Sequence, residues 1–440
     1  MPESAADKEP KLLHEPREDA MTDLPAWTRE GDFPLDTRLE PKGRWVDTPL
    51  NDLAVPRPAG QARRDIVLRD DTLRSGGNTP GVYASVDKKL RIAEALEAMG
   101  VREAEVGYGS LKEDRDFVEK LRLRGTKIVL GMHARSWLPS WKSDIDGIAD
   151  CGGHLVNLIG MQGSTSTRAL HPKLKGDAFL ERMEETIAYA KSRGLTVAFG
   201  TDHPRIEIIP ETVRRAMAAG VDRWVIYDTR GWYLPQTMAM LVTLIRGISK
   251  DQIEINVHAH DDFGLATANT FEGLRAGARS CDVTFNRTGH RCGNAAFEQV
   301  AVGVEYFFGY DTKLDLSKIT DVSNLVSDLY EVPVPANAPI VGYNMFSYGG
   351  LHIPGMLRDD WCLWENVRAE SVGGSRHMIY GPSSLQGGTD SPLEAKVASL
   401  GKTPNERHME LITSGLRDLI KEKKSATDAE VERIISRVMG

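Results

Sequence analysis

Ile253-Glu254-Ile255-Asn256-Val257-His258-Ala259-His260-Asp261-Asp262-Phe263-Gly264 is the stretch on which the reading of this chain turns. The run from Ile253 to Val257 reads as a strand, and His258 and His260 close it. Residues i and i+2 of a strand share a face. Two imidazoles side by side at the carboxyl end of a strand are placed to share a metal ion, or else form a hydrogen-bonded core pair. A second polar cluster follows the next apolar segment: Asn286, then Gly289-His290-Arg291-Cys292-Gly293-Asn294. Two such clusters at equivalent strand ends favour a site over a core pair.

Working outward from that strand, short segments rich in β-branched residues recur at intervals of about 23–41 residues. The expected strands are Ile66–Asp71, Ala104–Tyr108, Lys127–Met132, Leu155–Ile159, Thr196–Phe199, Trp224–Tyr227, Ile253–His258 and Asp282–Phe285. Amphipathic segments lie between them. Ser85–Met99 opens on a serine cap and carries Leu90, Ile92, Ala93, Leu96 and Met99 on one side. Ala178–Arg193, Pro210–Ala219, Gln236–Ile248 and Ala266–Ala276 read the same way. Eight strand–helix repeats predict an α/β fold, a closed parallel (β/α)8 TIM barrel over 63–314. No glycine-rich nucleotide motif follows the first strand. In such barrels chemistry sits at the carboxyl ends of the strands. The polar residues there include Asp70, Asp71, Arg74, Glu105, His133, Arg135, Thr229, His258 and His260.

Residues 1–62 are rich in proline and charge and read as an extended amino-terminal arm, with Trp27, Phe33 and Trp45 as anchors. Residues 315–440 read as a linker or lid followed by a small helical subdomain. Its helices are expected at Ile319–Tyr330, Leu393–Leu400, Asn405–Lys421 and Asp428–Val438. The net charge of −8 argues against nucleic acid or an anionic membrane as partner. The four cysteines are widely spaced, and Met1–Leu13 lacks the apolar core of a signal peptide. No uncharged apolar run approaches 18 residues, so no membrane span is expected, and the setting is expected to be cytoplasmic.

Several motifs together resemble a known family. They are Thr72-Leu73-Arg74, Pro80-Gly81, Glu105-Val106-Gly107, Asp228-Thr229-Arg230-Gly231, the run from His258 to Ala266, and Gly293-Asn294-Ala295-Ala296. In order and spacing they resemble the metal-dependent TIM-barrel synthases of 2-isopropylmalate, homocitrate and citramalate, with 3-hydroxy-3-methylglutaryl-CoA lyase a more distant relative. The resemblance runs on through Pro333-Val334-Pro335-Ala336-Asn337 and Gly350-Leu351-His352, covering 64–440. It implies a Claisen-type acyltransferase that condenses an acyl-CoA, acetyl-CoA first among them, with a 2-oxo acid. A carbon–carbon lyase or aldolase on the same scaffold is the alternative. It also implies a divalent ion (Mg, Mn or Zn) on His258 and His260, with Asn294 a supporting ligand. Arg74 would face developing oxyanion charge, Thr229 the carboxylate of the oxo acid, and His352 would serve enolisation of the acyl donor. Glu105 is a further catalytic candidate, and His133 and Arg135 are candidate contacts to substrate anions. Members of this type are domain-swapped homodimers, and the same is expected here.

The departures from the pattern matter as much. The family's Arg-Asp-Gly is Arg74-Ser75-Gly76 here, so a metal-binding aspartate is replaced by serine. A hydroxyl is a far poorer ligand for a hard cation. Asp70 or Asp71 is therefore expected to supply the missing carboxylate. Without it, the ion would be about one unit more positive and would favour a more anionic substrate. The family's Gly-Glu-Arg is Gly289-His290-Arg291, which makes His290 a candidate catalytic imidazole.

Overall fold

In the computed structural model, the described residues are 38–39, 42–48, 51, 65–161, 176–202, 206–348, 364–385 and 391–440. Eight parallel strands close on themselves: β1 (Val67–Asp70), β2 (Glu103–Tyr108), β3 (Val129–Arg135), β4 (Leu155–Met161), β5 (Thr196–Asp202), β6 (Arg223–Asp228), β7 (Glu254–Ala259) and β8 (Ser280–Val283). β8 pairs with β1 through Ser280↔Val67 to Val283↔Asp70, which completes the barrel. The outer layer comprises α1 (Val86–Met99), α2 (Lys112–Leu123), α3 (Trp141–Cys151), α4 (Asp177–Ser192), α5 (Ile209–Ala218), α6 (Pro235–Ser249), α7 (Ala266–Ala276) and α8 (Phe297–Phe308).

Each expected strand is present, displaced by a few residues at its ends. The serine cap on α1 is present too: Ser85 accepts from the Lys88 amide at 3.3 Å, and Gly100 closes the helix with φ +97°. Sequence periodicity alone did not bring out α2, α3 or α8. In α2 the buried apolar stripe is narrow, Phe117, Val118 and Leu121 amid eight charged residues, so charge hides the period.

Alternation along the strands sorts the side chains into two environments. Leu68, Val106, Leu130, Met132, Leu158, Phe199, Trp224, Ile226, Val257 and Val283 point outward and pack on the helices as the main apolar core. The lumen, by contrast, is charged on one side. Arg223 donates to Glu103 at 2.9 Å and to Glu254 at 3.3 Å near the amino-terminal ends of the strands. Above them Arg69, with no exposed surface, donates to Asp282 at 2.7 Å, to Glu105 at 2.9 Å and also to Glu103. Buried charges of this kind are tolerated only when paired and hydrogen-bonded. The other side of the lumen is apolar: Leu155, Ala198, Val225 and the ring of Tyr227, with Ile159 packed against them.

After the barrel come α9 (Ile319–Tyr330), β9 (Ser347–Tyr348), β10 (His377–Tyr380), α10 (Pro392–Ser399), α11 (Glu406–Lys423), β11 (Ala426–Thr427) and α12 (Asp428–Met439). Tyr380, Leu393, Val397, Ile412, Leu416, Val431 and Ile435 form a second core among these elements. Of the expected anchors in the arm, Trp45 is buried and its ring lies 6.1 Å from that of Tyr306 on α8. Trp27 and Phe33 lie outside the described residues.

Candidate active site

The last turn of each inward-facing strand brings its polar residues to one rim. His258 and His260, two residues apart on β7 and just past it, present their Nε2 atoms 3.4 Å from each other. On the other edge of its ring, His258 Nδ1 lies 2.9 Å from Asp282 Oδ2 and 3.6 Å from Asp71 Oδ2. Asp71, His258 and Asp282 are all buried, and each offers one donor atom within 4.8 Å of the others, a group able to hold a metal ion.

Asp282 was not singled out from the sequence. The strand was expected to begin at residue 282, whereas Ser280–Val283 is the observed strand and Asp282 is its third residue. The available signal was a lone carboxylate two positions before Thr284 in an otherwise apolar segment. Arg69 beside it holds the Asp282 carboxyl far below the usual range in spite of burial, with His258 adding to the effect.

Asp70 and Asp71 part company by the same alternation. Asp71 shares the lumen face with Arg69. Its Oδ2 accepts from Arg74 Nη2 at 2.9 Å and its Oδ1 from the Ser75 amide at 3.2 Å. Asp70 is not brought into the metal group: it turns back on Thr72, accepting from the amide at 3.1 Å and from the hydroxyl at 2.7 Å. Burial raises its pKa to about 7. A carboxylate is thus present beside His258 even though Ser75 lacks one. The premise of a more positive ion and a more anionic substrate therefore loses its support.

Ser75 and Asn294 meet each other, the Ser75 hydroxyl donating to Asn294 Oδ1 at 2.7 Å. Asn294 Nδ2 is 3.3 Å from His258 Nε2, so the amide lies against the histidine pair. Gly289 allows this approach, because a Cβ there would come within 2.4 Å of Asn294 Oδ1. Burial, then His258, lowers the His260 pKa to about 3, so its imidazole is neutral. Arg74 is buried; burial opposes its charge, but Asp71 outweighs that and raises its pKa.

Glu105 lies deeper. Its Oε2 accepts from Arg69 and from Asn157, and its Oε1, 3.5 Å from His133 Nε2, takes no hydrogen bond among the described residues. Burial, offset in part by Arg69, raises its pKa to about 8. Burial and Arg74 push His133 well below its ordinary value, so it is neutral as well. Arg135 faces elsewhere, donating to Ser110 at 3.0 Å and lying 3.8 Å from Asp144. Thr229 is half-buried, and its carbonyl accepts from Arg291 at 2.5 Å. His290 is exposed on the loop that leads to Asn294. His352 lies outside the described residues.

Residues 65–326 match the HMGL-like family model. The chain belongs to the HMGL-like family. Its curated relatives include the (R)-citramalate synthase of Methanocaldococcus jannaschii, 31% identical over 380 residues that span 84% of this chain and 74% of that one. The homocitrate synthase of Methanopyrus kandleri is 31% identical across 85% of this chain and 93% of its own. The 2-isopropylmalate synthase of Sulfolobus acidocaldarius is 34% identical across 83% and 92%. Among solved structures, the hydroxymethylglutaryl-CoA lyase of Pseudomonas aeruginosa superposes with a TM-score of 0.55 at 16% identity, covering 62% of this chain and 95% of that one. That likeness concerns the barrel fold. With synthases matching most of its length, this HMGL-like protein is an enzyme of their type, an acyltransferase that forms carbon–carbon bonds. Among the described residues no helix is long and apolar enough to cross a membrane.

One buried carboxyl of this HMGL-like barrel stands apart from the histidine group. Glu298 on α8 accepts from the Asn286 amide at 3.2 Å, and burial raises its pKa from 4.5 to about 7. A raised folded-state pKa means that the folded protein keeps a proton the unfolded chain releases. The contribution is complete below about pH 4.5 and is lost as pH rises through about 7. The whole shift corresponds to about 3 kcal/mol. Glu298→Gln is expected to remove that pH dependence and to raise the melting temperature at pH 8 while leaving it little changed at pH 5. Thermal scans at the two pH values check this, and an equal effect at both would refute it.

Proposed function

We propose that this enzyme condenses the acyl group of an acyl-CoA, acetyl-CoA in the first instance, with a 2-oxo acid at the carboxyl-terminal rim of its barrel. The observation that carries the reading is the 3.4 Å separation of the two Nε2 atoms. Two ligands about 2.1 Å from one tetrahedral ion stand about 3.4 Å apart. With Nδ1–H of His258 donated to Asp282, the Nε2 lone pair faces His260 and the Asn294 side chain, where an ion would bind. The opposite edge of His258 is the weaker candidate, because Arg69 and Arg74 already engage both carboxylates there. His258 and His260 would hold the ion, Asn294 would support it, and Asp71 would supply nearby negative charge.

A divalent ion at those nitrogens supplies a Lewis acid for the ketone of the oxo acid. The remaining work falls to side chains. Arg74 lies beside Asp71 with its Nε unpaired among the described residues, and would meet oxyanion charge as it develops. Glu105 and His133 form a buried carboxyl–imidazole pair that can take and return a proton during enolisation of the acyl donor. Thr229 would contact the carboxylate of the oxo acid, His290 would act as a catalytic imidazole, and His352, outside the described residues, would serve enolisation of the acyl donor as the resemblance implies.

The rim supports a dimer as well. Tyr83, Trp232 and Phe263, on the loops after β1, β6 and β7, are 76%, 49% and 75% exposed, apolar rings at the rim that a second chain would cover. A domain-swapped homodimer is expected, and a monomer mass by light scattering at micromolar concentration would contradict it. Free Cys151, Cys281 and Cys292 suit a cytoplasmic setting. The function itself is tested by following thiol release from acetyl-CoA against a panel of 2-oxo acids. Release with at least one acid is expected. Carbon–carbon cleavage without any thiol release in the forward assay would overturn the condensation in favour of a lyase.

A further inference from the structure

One hydroxyl in the lumen has no role so far. Five tyrosines are buried among the described residues: Tyr227, Tyr306, Tyr330, Tyr348 and Tyr380. Four of them satisfy their hydroxyls within the protein. Tyr306 donates to the Val46 carbonyl at 2.7 Å, Tyr330 to the Thr72 carbonyl at 2.8 Å, Tyr348 to Glu365 at 2.8 Å and Tyr380 to Asp428 at 3.0 Å. Tyr227 is 5% exposed, yet its hydroxyl makes no hydrogen bond to any described residue. The oxygen is not one of the enclosed unpaired atoms, so it opens to the lumen, and a hydroxyl set there without a protein partner calls for an explanation.

Its position supplies one. Tyr227 is the residue before Asp228 at the end of β6, and its ring centroid is 5.2 Å from that of His258. The other edge of the ring packs with Leu155, Ala198 and Val225, so the side chain stands on the seam between the apolar and charged halves of the lumen. The charges facing its oxygen are those of Asp282, Glu105, Arg74 and Arg69. The neighbouring strand is shaped to admit the ring: a Cβ on Gly200 would come within 2.8 Å of Tyr227 Cε2 and 2.1 Å of the Val225 carbonyl. The sequence thus spends a glycine on β5 to hold an aromatic hydroxyl beside the histidine pair and gives that hydroxyl no partner of its own.

We propose that Tyr227 is a further substrate-contacting residue, its phenolic O–H donating to an oxygen of the 2-oxo acid bound at His258 and His260. The assignment rests on the condensation reading above and adds to it a neutral donor beside His258. No bond is made or broken at the phenol; it positions the acid and discriminates against ligands that lack the acceptor oxygen.

The experiment is a comparison of the metal-loaded full-length protein with Tyr227→Phe, which keeps the ring and removes only the oxygen. Calorimetric titration with pyruvate, 2-oxoisovalerate and 2-oxoglutarate gives the affinity of each protein for each acid. For whichever acid binds, Kd is expected to rise about tenfold in the variant, the worth of one hydrogen bond to a charged ligand. Metal content should be unchanged. The melting temperature of the ligand-free protein should hold or rise, since no protein partner loses a bond. An unchanged Kd would overturn the assignment to Tyr227 while leaving the condensation reading in place. A lower melting temperature with an unchanged Kd would mark the hydroxyl as structural. Wild-type protein that binds none of the three acids would sink the condensation reading, and the assignment with it.

Discussion

His258→Ala is expected to purify with only traces of divalent metal and to lose at least about three orders of magnitude in turnover. Both edges of that imidazole are committed. Nε2 faces His260 at 3.4 Å, and Nδ1 is held by Asp282 at 2.9 Å. Removing the ring deletes one ligand and also the element that Asp282 orients. A Lewis acid contributes several kcal/mol to a carbonyl reaction, and each 1.4 kcal/mol is a factor of ten in rate. Asp282→Asn should be milder, weakening metal affinity about 10–100-fold, as loss of an orienting partner does elsewhere. Metal analysis after purification without chelator, with chelator competition for the affinities, measures both. Full metal content in His258→Ala would show that the ion, if bound at all, sits elsewhere. An Asp282→Asn protein that loses all of its metal while His260→Ala keeps it would move the ion to the Nδ1 edge, among the carboxylates.

The barrel was legible because each outward strand face is apolar and recurs at regular intervals, and closure follows from eight such repeats. The common face of His258 and His260 was legible for the same reason, as a consequence of period-two geometry. What the reading left open, or missed, turned on register. Whether Asp70 or Asp71 faces the lumen depends on where β1 begins its alternation, and one residue of slip exchanges them. Asp282 was passed over because its strand was placed two residues late. Tyr227 gave no sign at all: a tyrosine closing an apolar strand looks like core, and only the missing hydrogen bond sets it apart. The helices α2 and α3 escaped because their polar faces carry most of the sequence signal, while the buried stripe is three to five residues wide.

The loss of Asp71 should be the most disruptive single change at this rim, and an exchange with position 75 should repair part of it. Asp71 has no exposed surface and pairs with Arg74, whose side chain is 8% exposed. Removing one partner of a buried ion pair leaves an uncompensated charge and costs about 3–5 kcal/mol. Asp71→Ser should therefore lower the melting temperature by several degrees and weaken metal binding at the same time, since the carboxylate 3.6 Å from His258 goes with it. Ser75→Asp alone places a second carboxylate beside Asn294, where Ser75 now donates its hydroxyl, and should tighten metal binding. In the double variant Asp71→Ser/Ser75→Asp, the carboxylate has only changed places within one turn of chain. Metal affinity should return to within about tenfold of wild type, because both carboxylates act on one ion and their effects cannot add. Stability should recover less, since Arg74 keeps its burial and loses its present geometry. Chelator competition and thermal unfolding on the three variants separate these effects. If Asp71→Ser binds metal as tightly as wild type, Asp71 serves Arg74 alone. In that case Ser75 with the two histidines and Asn294 would have to hold the ion without a carboxylate.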